Sequence, residues 1–138
     1  MIVLDTNVAS EVMKALPDSR VAAWFVACDP TELYLAAPVV AELRTGVIKL
    51  ADGRRRSLLE QDYAALIDAF AERVLSFDLA AAEIFAEIFV HRRTIGRPLV
   101  GFDGLIAAIA RANGASVATR NLKDFDACGV PLIDPWAG

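Results

Sequence analysis

Histidine and cysteine are scarce in this chain. The single histidine, His91, excludes ribonuclease chemistry built on a histidine pair, and no serine stands in the glycine-flanked turn of a nucleophile elbow. Cys28 and Cys128 are far apart and lack a CxxC partner, so zinc and a disulfide framework have little support, and two reduced, partly buried thiols are expected. Basic excess is missing as well. With 14 Lys and Arg against 18 Asp and Glu, the net charge of -4 argues against coating nucleic acid through a broad basic surface, while leaving room for a local basic rim around an acidic pocket. Long apolar runs are absent too. Leu79 to Val90 is broken by Glu83 and Glu87 and falls short of the roughly 18 to 20 residues a bilayer needs, so no membrane association is expected. The opening run Ile2 to Leu4 stops at Asp5 without a basic leader or a small-residue cleavage site; the expectation is a cytoplasmic protein without a signal peptide.

What is present suits one domain spanning residues 1–138, long enough to bury a core. A hydrophobic share of 56%, slightly high for a small globular chain, points to a buried self-association surface. Short apolar runs at Ile2 to Leu4, Leu33 to Ala36, Arg73 to Leu75, Ser116 to Thr119 and Pro131 to Ile133 read as strands. The segments between them are long enough for crossover helices, so the expected fold is a three-layer α/β/α sandwich with a central parallel sheet. Between Pro38 and Leu50 the residues Val39, Val40, Leu43, Val47 and Leu50 recur at helical spacing, which puts Glu42 on a helix. Further helices are expected from about Arg54 to Glu72, from an Asp78 cap to about Arg93, and from Phe102 to Ala112, where Asn113 and Gly114 end the last one.

Acids stand where the strands end or the helices begin: Asp5 after the first strand, Glu42 one turn into a helix, Asp103 at a helix start, and Asp124 after the fourth strand. In an open parallel sheet those positions are neighbours beyond the carboxyl ends of the strands. Several carboxylates gathered there repel one another unless a cation lies among them, and hard oxygen donors favour Mg²⁺ or Mn²⁺. Each acid also has a plainer reading. Asp5, with Thr6 and Asn7, could cap the first helix, Asp103 could complement a helix dipole, Glu42 could face solvent, and Asp124 could cap a turn.

Four strings carry more than composition does: LDTNVASE from Leu4, VVAELRTG from Val39, DGLIAAIA from Asp103 and ATRNLKDF from Ala118. In this order they resemble the PIN-domain toxins of bacterial type II toxin–antitoxin operons, the VapC kind. FDLAAAEIFAEI from Phe77, GRPL from Gly96 and VPLIDPW from Val130 extend the similarity over essentially the whole chain. The resemblance implies that Asp5, Glu42 and Asp103 are the catalytic, metal-binding acids and that Thr6 assists in the same pocket. At the fourth metal position many relatives carry Asp where this chain has Asn121, which offers an amide oxygen without charge and so predicts weaker binding of a second metal. Asp124 is a further candidate for the metal shell.

The ligands dictate the chemistry expected of such a site: a metal polarises the scissile phosphate and acidifies a bound water for in-line attack. The resemblance further implies an endoribonuclease leaving a 5′-phosphate and a 3′-hydroxyl, a homodimer, and a small antitoxin that blocks the active site. It implies, too, that operator DNA is contacted only through the antitoxin. Arg120 is the candidate RNA contact closest to the site, with Arg44, Arg92, Arg93, Arg97 and Lys123 as further cations available to phosphates. Glu83, Glu87 and His91 form a stripe at helical spacing, read as a polar helix face. Trp24, Phe25 and Phe85 read as core or dimer contacts. The competing function is a noncatalytic PIN-like module that binds RNA or protein. A phosphoryl-accepting Asp5 is disfavoured, since TNV follows it where a second Asp would be needed.

Overall fold

The computed structural model describes residues 1–138. Strands β1 (Ile2–Leu4), β2 (Leu33–Ala36), β3 (Val74–Leu75), β4 (Ser116–Ala118) and β5 (Leu132–Ile133) form one sheet in the order β3-β2-β1-β4-β5. Every pairing is parallel. The five strands lie where the apolar runs put them, shortened at some ends. Arg73 falls outside β3 although its carbonyl still accepts from Leu35 N at 2.9 Å, and its guanidinium turns back to the carbonyls of Leu33 and Ala69.

Seven helices connect the strands: α1 (Thr6–Met13), α2 (Ser19–Ala27), α3 (Ala37–Ile48), α4 (Arg54–Phe70), α5 (Leu79–Thr94), α6 (Asp103–Ala112) and α7 (Leu122–Phe125). Sheet order reverses at β1, so right-handed crossovers send α1 to α4 to one face and the later helices to the other. Packing agrees: α1, α3 and α4 lie against one another, whereas α5 runs along α6 and α6 lies on β1, β2 and β4. The result is the expected α/β sandwich.

Val3, Leu4, Leu35 and Val117 are fully buried, as near-continuous apolar runs in a parallel sheet require. Ile106 through Ala110 are buried too, so α6 is a central helix with almost no wet face. Small residues let it approach closely; a Cβ on Gly104 would strike the Leu99 side chain and touch Phe85. Burial of each large apolar side chain contributes about 1.5–3 kcal/mol, enough to hold the ends of β1, β4 and α6 in fixed relation. Asp5 and Asp103 sit at two of those ends.

Candidate metal centre

The switch in strand order between β1 and β4 opens a crevice beyond Leu4 and Ala118. Asp5 occupies its floor, with only 3% of its surface exposed. Its backbone N–H donates to the Ala118 carbonyl at 3.0 Å, and its Oδ1 accepts from Val8 N at 2.9 Å, capping α1. The Thr119 side chain is a further hydrogen-bond partner of the carboxylate. Thus the capping role weighed for Asp5 is real, and it holds the carboxylate still. Burial raises its pKa and Glu42 adds repulsion, while the Thr119, Val8 and Asn7 hydrogen bonds favour the charged form.

Glu42 lies on α3 as expected, half-buried. Thr6 Oγ1 donates to its Oε1 at 2.7 Å, so the first residue of α1 orients an acid from the helix after β2. Asp103 stands in the first turn of α6, where the α5–α6 connection ends. Its pKa is pushed up to about 7, first by burial, then by the charges of Asp124, Asp5 and Glu42, with the Arg92 guanidinium opposing. Four carboxylates from four different segments therefore share one electrostatic neighbourhood. Asp124, on α7, bears on Asp103 more than either of the other two acids.

Asn121 is exposed at the start of α7, and its side chain makes no capping bond. Its backbone N–H donates to Thr119 Oγ1 at 2.9 Å, which links it to Asp5 through one hydroxyl. Thr119, fully buried, escaped the sequence reading. Its place immediately after β4, mirroring Asp5 after β1, was the available clue.

Two hollows flank the acids. One, of about 170 Å³, opens beside Thr6 and Glu42 and is also lined by Ser10, Lys14, Leu43 and Leu59. The other, of about 410 Å³, is lined by Asn7, Ser10, Glu11, Lys14, Arg120, Asn121 and Trp136, so Ser10 and Lys14, the latter paired with Glu11 at 2.9 Å, border both.

The PIN domain model matches residues 2–129. The chain belongs to the PIN-domain family. VapC ribonuclease Y4jK of Sinorhizobium fredii is 44% identical over 99% of this chain and 98% of its own length. Toxin FitB of Neisseria gonorrhoeae is 40% identical over 99% of both chains. A solved structure of FitAB bound to an IR36 DNA fragment superposes with a TM-score of 0.91 at 39% identity, covering 99% of this chain and 96% of the other.

Does the donor set of this PIN domain fit a divalent ion? The chemistry does, since every candidate is a hard oxygen ligand, and burial together with the charges of Asp124, Asp5 and Glu42 pushes the Asp103 carboxyl up to about 7. As the side chains stand, no three acidic, imidazole or thiol groups converge closely enough to grip one ion.

Elsewhere the PIN domain separates the cations offered to RNA. Arg120 is exposed, with its guanidinium 5.0 Å from the Trp136 ring centroid, beside Asn121 as expected. Arg44 pairs with Glu60 at 3.5 Å, Arg97 with Asp126 at 2.8 Å, and Arg93 lies over the Phe89 ring. Arg92 corrects the sequence reading: only 3% exposed, it has no surface to offer a phosphate, because backbone carbonyls take its N–H groups. Glu83, Glu87 and His91 are all exposed on α5, as a polar face should be. Trp24, Phe25 and Phe85 pack against the core. Cys28 is half-buried and Cys128 buried, both as free thiols, and burial pushes both pKa values up.

Proposed function

We propose that this PIN domain is the toxin of a type II toxin–antitoxin pair: an endoribonuclease that hydrolyses RNA phosphodiester bonds with Mg²⁺ or Mn²⁺. What supports the metal reading is Asp5, buried at the end of β1, with Glu42 held by the Thr6 hydroxyl and Asp103 in the first turn of α6, where burial and the charges of Asp124, Asp5 and Glu42 push the Asp103 carboxyl up to about 7. Such an arrangement is electrostatically costly unless a cation resolves it.

Asp5, Glu42, Asp103 and Asp124 would hold the ion, with Asn121 contributing an amide oxygen. Bound there, such an ion would supply Lewis-acid polarisation of the scissile phosphate and would lower the pKa of an attacking water. The chain's own groups do the positioning. Capping and the Thr119 contact immobilise Asp5, and the Thr6 hydroxyl aims Glu42. Arg120, on the hollow beside Asn121, would hold an RNA phosphate next to the metal site, while Lys14 on the same hollow is already paired with Glu11 at 2.9 Å. Attack by water leaves a 5′-phosphate and a 3′-hydroxyl, and the ribose 2′-hydroxyl serves recognition.

The names of the relatives support the toxin role: one is a VapC ribonuclease, another a toxin, and FitAB is a complex seen on DNA. A small antitoxin would cover the hollow beside Glu42, and operator DNA would be met through the antitoxin, in keeping with the acidic charge of this chain. Exposed Leu79, Phe89 and Val90 on α5 support a homodimer. No helix is long and apolar enough to cross a membrane; action in the cytoplasm follows from an RNA target and is part of the proposal.

Induced expression followed by sequencing of cellular RNA ends tests this reading. New 5′-phosphate ends and growth arrest are expected with the wild type, neither with Asp5→Ala, and coexpression of the adjacent small gene should restore growth. Equal harmlessness of both proteins at matched soluble levels contradicts the toxin role.

A further inference from the structure

Arg92 is a charged residue buried without an ion-pair partner. It lies in the last turn of α5, and Nη1 donates to the carbonyl oxygens of Lys123 at 3.3 Å, Asp124 at 3.4 Å and Asp126, while Nε donates to the carbonyl of Arg97. Removing a guanidinium from water is costly, and an apolar side chain of similar volume would fill the same space without that cost. What an apolar side chain cannot do is bind several backbone carbonyls at once.

The carbonyls of Lys123, Asp124 and Asp126 belong to α7 and the turn after it, and that of Arg97 to the loop after α5. α7 is a single turn with no side-chain cap, and the orphan carbonyls at its C-terminal end are the groups that Arg92 satisfies. Two features show how tightly the turn is specified. Ala127 is held at φ 60°, a left-handed conformation that is unfavourable for a non-glycine residue. Beside it the Asp126 carboxylate pairs with Arg97 at 2.8 Å, so the turn is tied twice to the end of α5 and the loop beyond. Strained backbone persists where its surroundings over-determine it.

We infer that Arg92 is a positioning residue for the acidic centre: by fixing the Lys123–Asp126 backbone from α5, it keeps the Asp124 carboxylate beside Asp103 so that the two can share one divalent ion. This rests on the metal-nuclease reading. It assigns a role in metal binding to a side chain that touches neither the ion nor RNA, in the manner of the outer-shell groups that orient metal ligands.

Titration of the full chain with Mn²⁺ by calorimetry, for wild type, Arg92→Lys, Asp124→Asn and the double variant, tests it, with thermal unfolding in the absence of metal as a parallel readout. Lysine keeps the charge but not the fork. Arg92→Lys should weaken Mn²⁺ binding about tenfold or more, within the range known for outer-shell substitutions. In the Asp124→Asn background it should weaken binding no further, while still lowering the melting temperature. An anchor that served stability alone would lower the melting temperature and leave the affinity unchanged. Should Arg92→Lys fail to fold, Arg92→Gln, which retains two N–H donors without charge, takes its place. Wild-type affinity in a folded Arg92 variant, or losses that multiply in the double variant, overturns the inference. Absence of Mn²⁺ binding by the wild type overturns the metal reading itself, and the inference with it.

Discussion

Thr6 Oγ1 donates to Glu42 Oε1 across 2.7 Å, joining the first residue of α1 to an acid on α3. The contact fixes one rotamer of a half-buried carboxylate that would otherwise sample several. Thr6→Val keeps the shape and removes the donor, so cleavage of RNA should fall roughly 10- to 100-fold, the scale of lost outer-shell contacts at metal sites. Thr6→Ser should restore most of it. Steady-state cleavage by the three proteins at matched folding, judged by circular dichroism, checks this; wild-type rates for Thr6→Val would remove the hydroxyl from the site.

Asp103 sets a pH dependence of stability. Its carboxyl is raised from 3.8 to about 7, so the metal-free folded protein holds a proton that the unfolded chain releases near pH 4. The associated stability is present in full below about pH 4 and is lost as pH rises through about 7. Metal-free protein should therefore melt a few degrees lower at about pH 8 than at about pH 5.5, and Asp103→Asn should flatten that slope. Mn²⁺ should reverse it, since the ion binds the ionised carboxylates. Identical slopes for wild type and Asp103→Asn in scanning calorimetry would contradict the arrangement.

Asn121 offers an oxygen without charge at the rim of the centre, one hydroxyl removed from Asp5. Asn121→Asp adds a negative ligand and should tighten Mn²⁺ binding several-fold, or convert one binding event into two. Titration calorimetry reads both outcomes. An unchanged isotherm would count against any place for residue 121 in the shell.

Much of this was legible before the structure because the governing signals are local. The apolar runs at Ile2 and Ser116 announced buried parallel strands, and strand ends in such a sheet converge, which drew Asp5 toward the residues after Ala118 on topology alone. Glu42 was placed on its helix by the spacing of Val39, Leu43 and Val47, all buried. Arg92 was misread because an arginine in a charged stretch, HRR, looks solvated; only tertiary packing shows its N–H groups turned inward on carbonyls some thirty residues away. Backbone acceptors leave no mark in a sequence. Helices α2 and α7 went unread for a related reason. α7 is one turn long, below any periodicity, and α2 has only Val21 fully buried, so its apolar residues do not form a strong stripe.

On the proposed function, Asp103 belongs to a divalent-metal centre that cleaves RNA. The most direct test is the rate of Mg²⁺- or Mn²⁺-dependent cleavage by Asp103→Asn beside wild type, with end chemistry determined on the products. Asparagine preserves volume and removes charge, so the variant should fold and be at least as stable without metal, yet lose cleavage by about a hundredfold or more, an effect on the order of 3 kcal/mol in the transition state. The wild type should yield 5′-phosphate ends and fall silent in chelator. Wild-type cleavage by folded Asp103→Asn, or cleavage by wild type that persists in chelator, would contradict the claim.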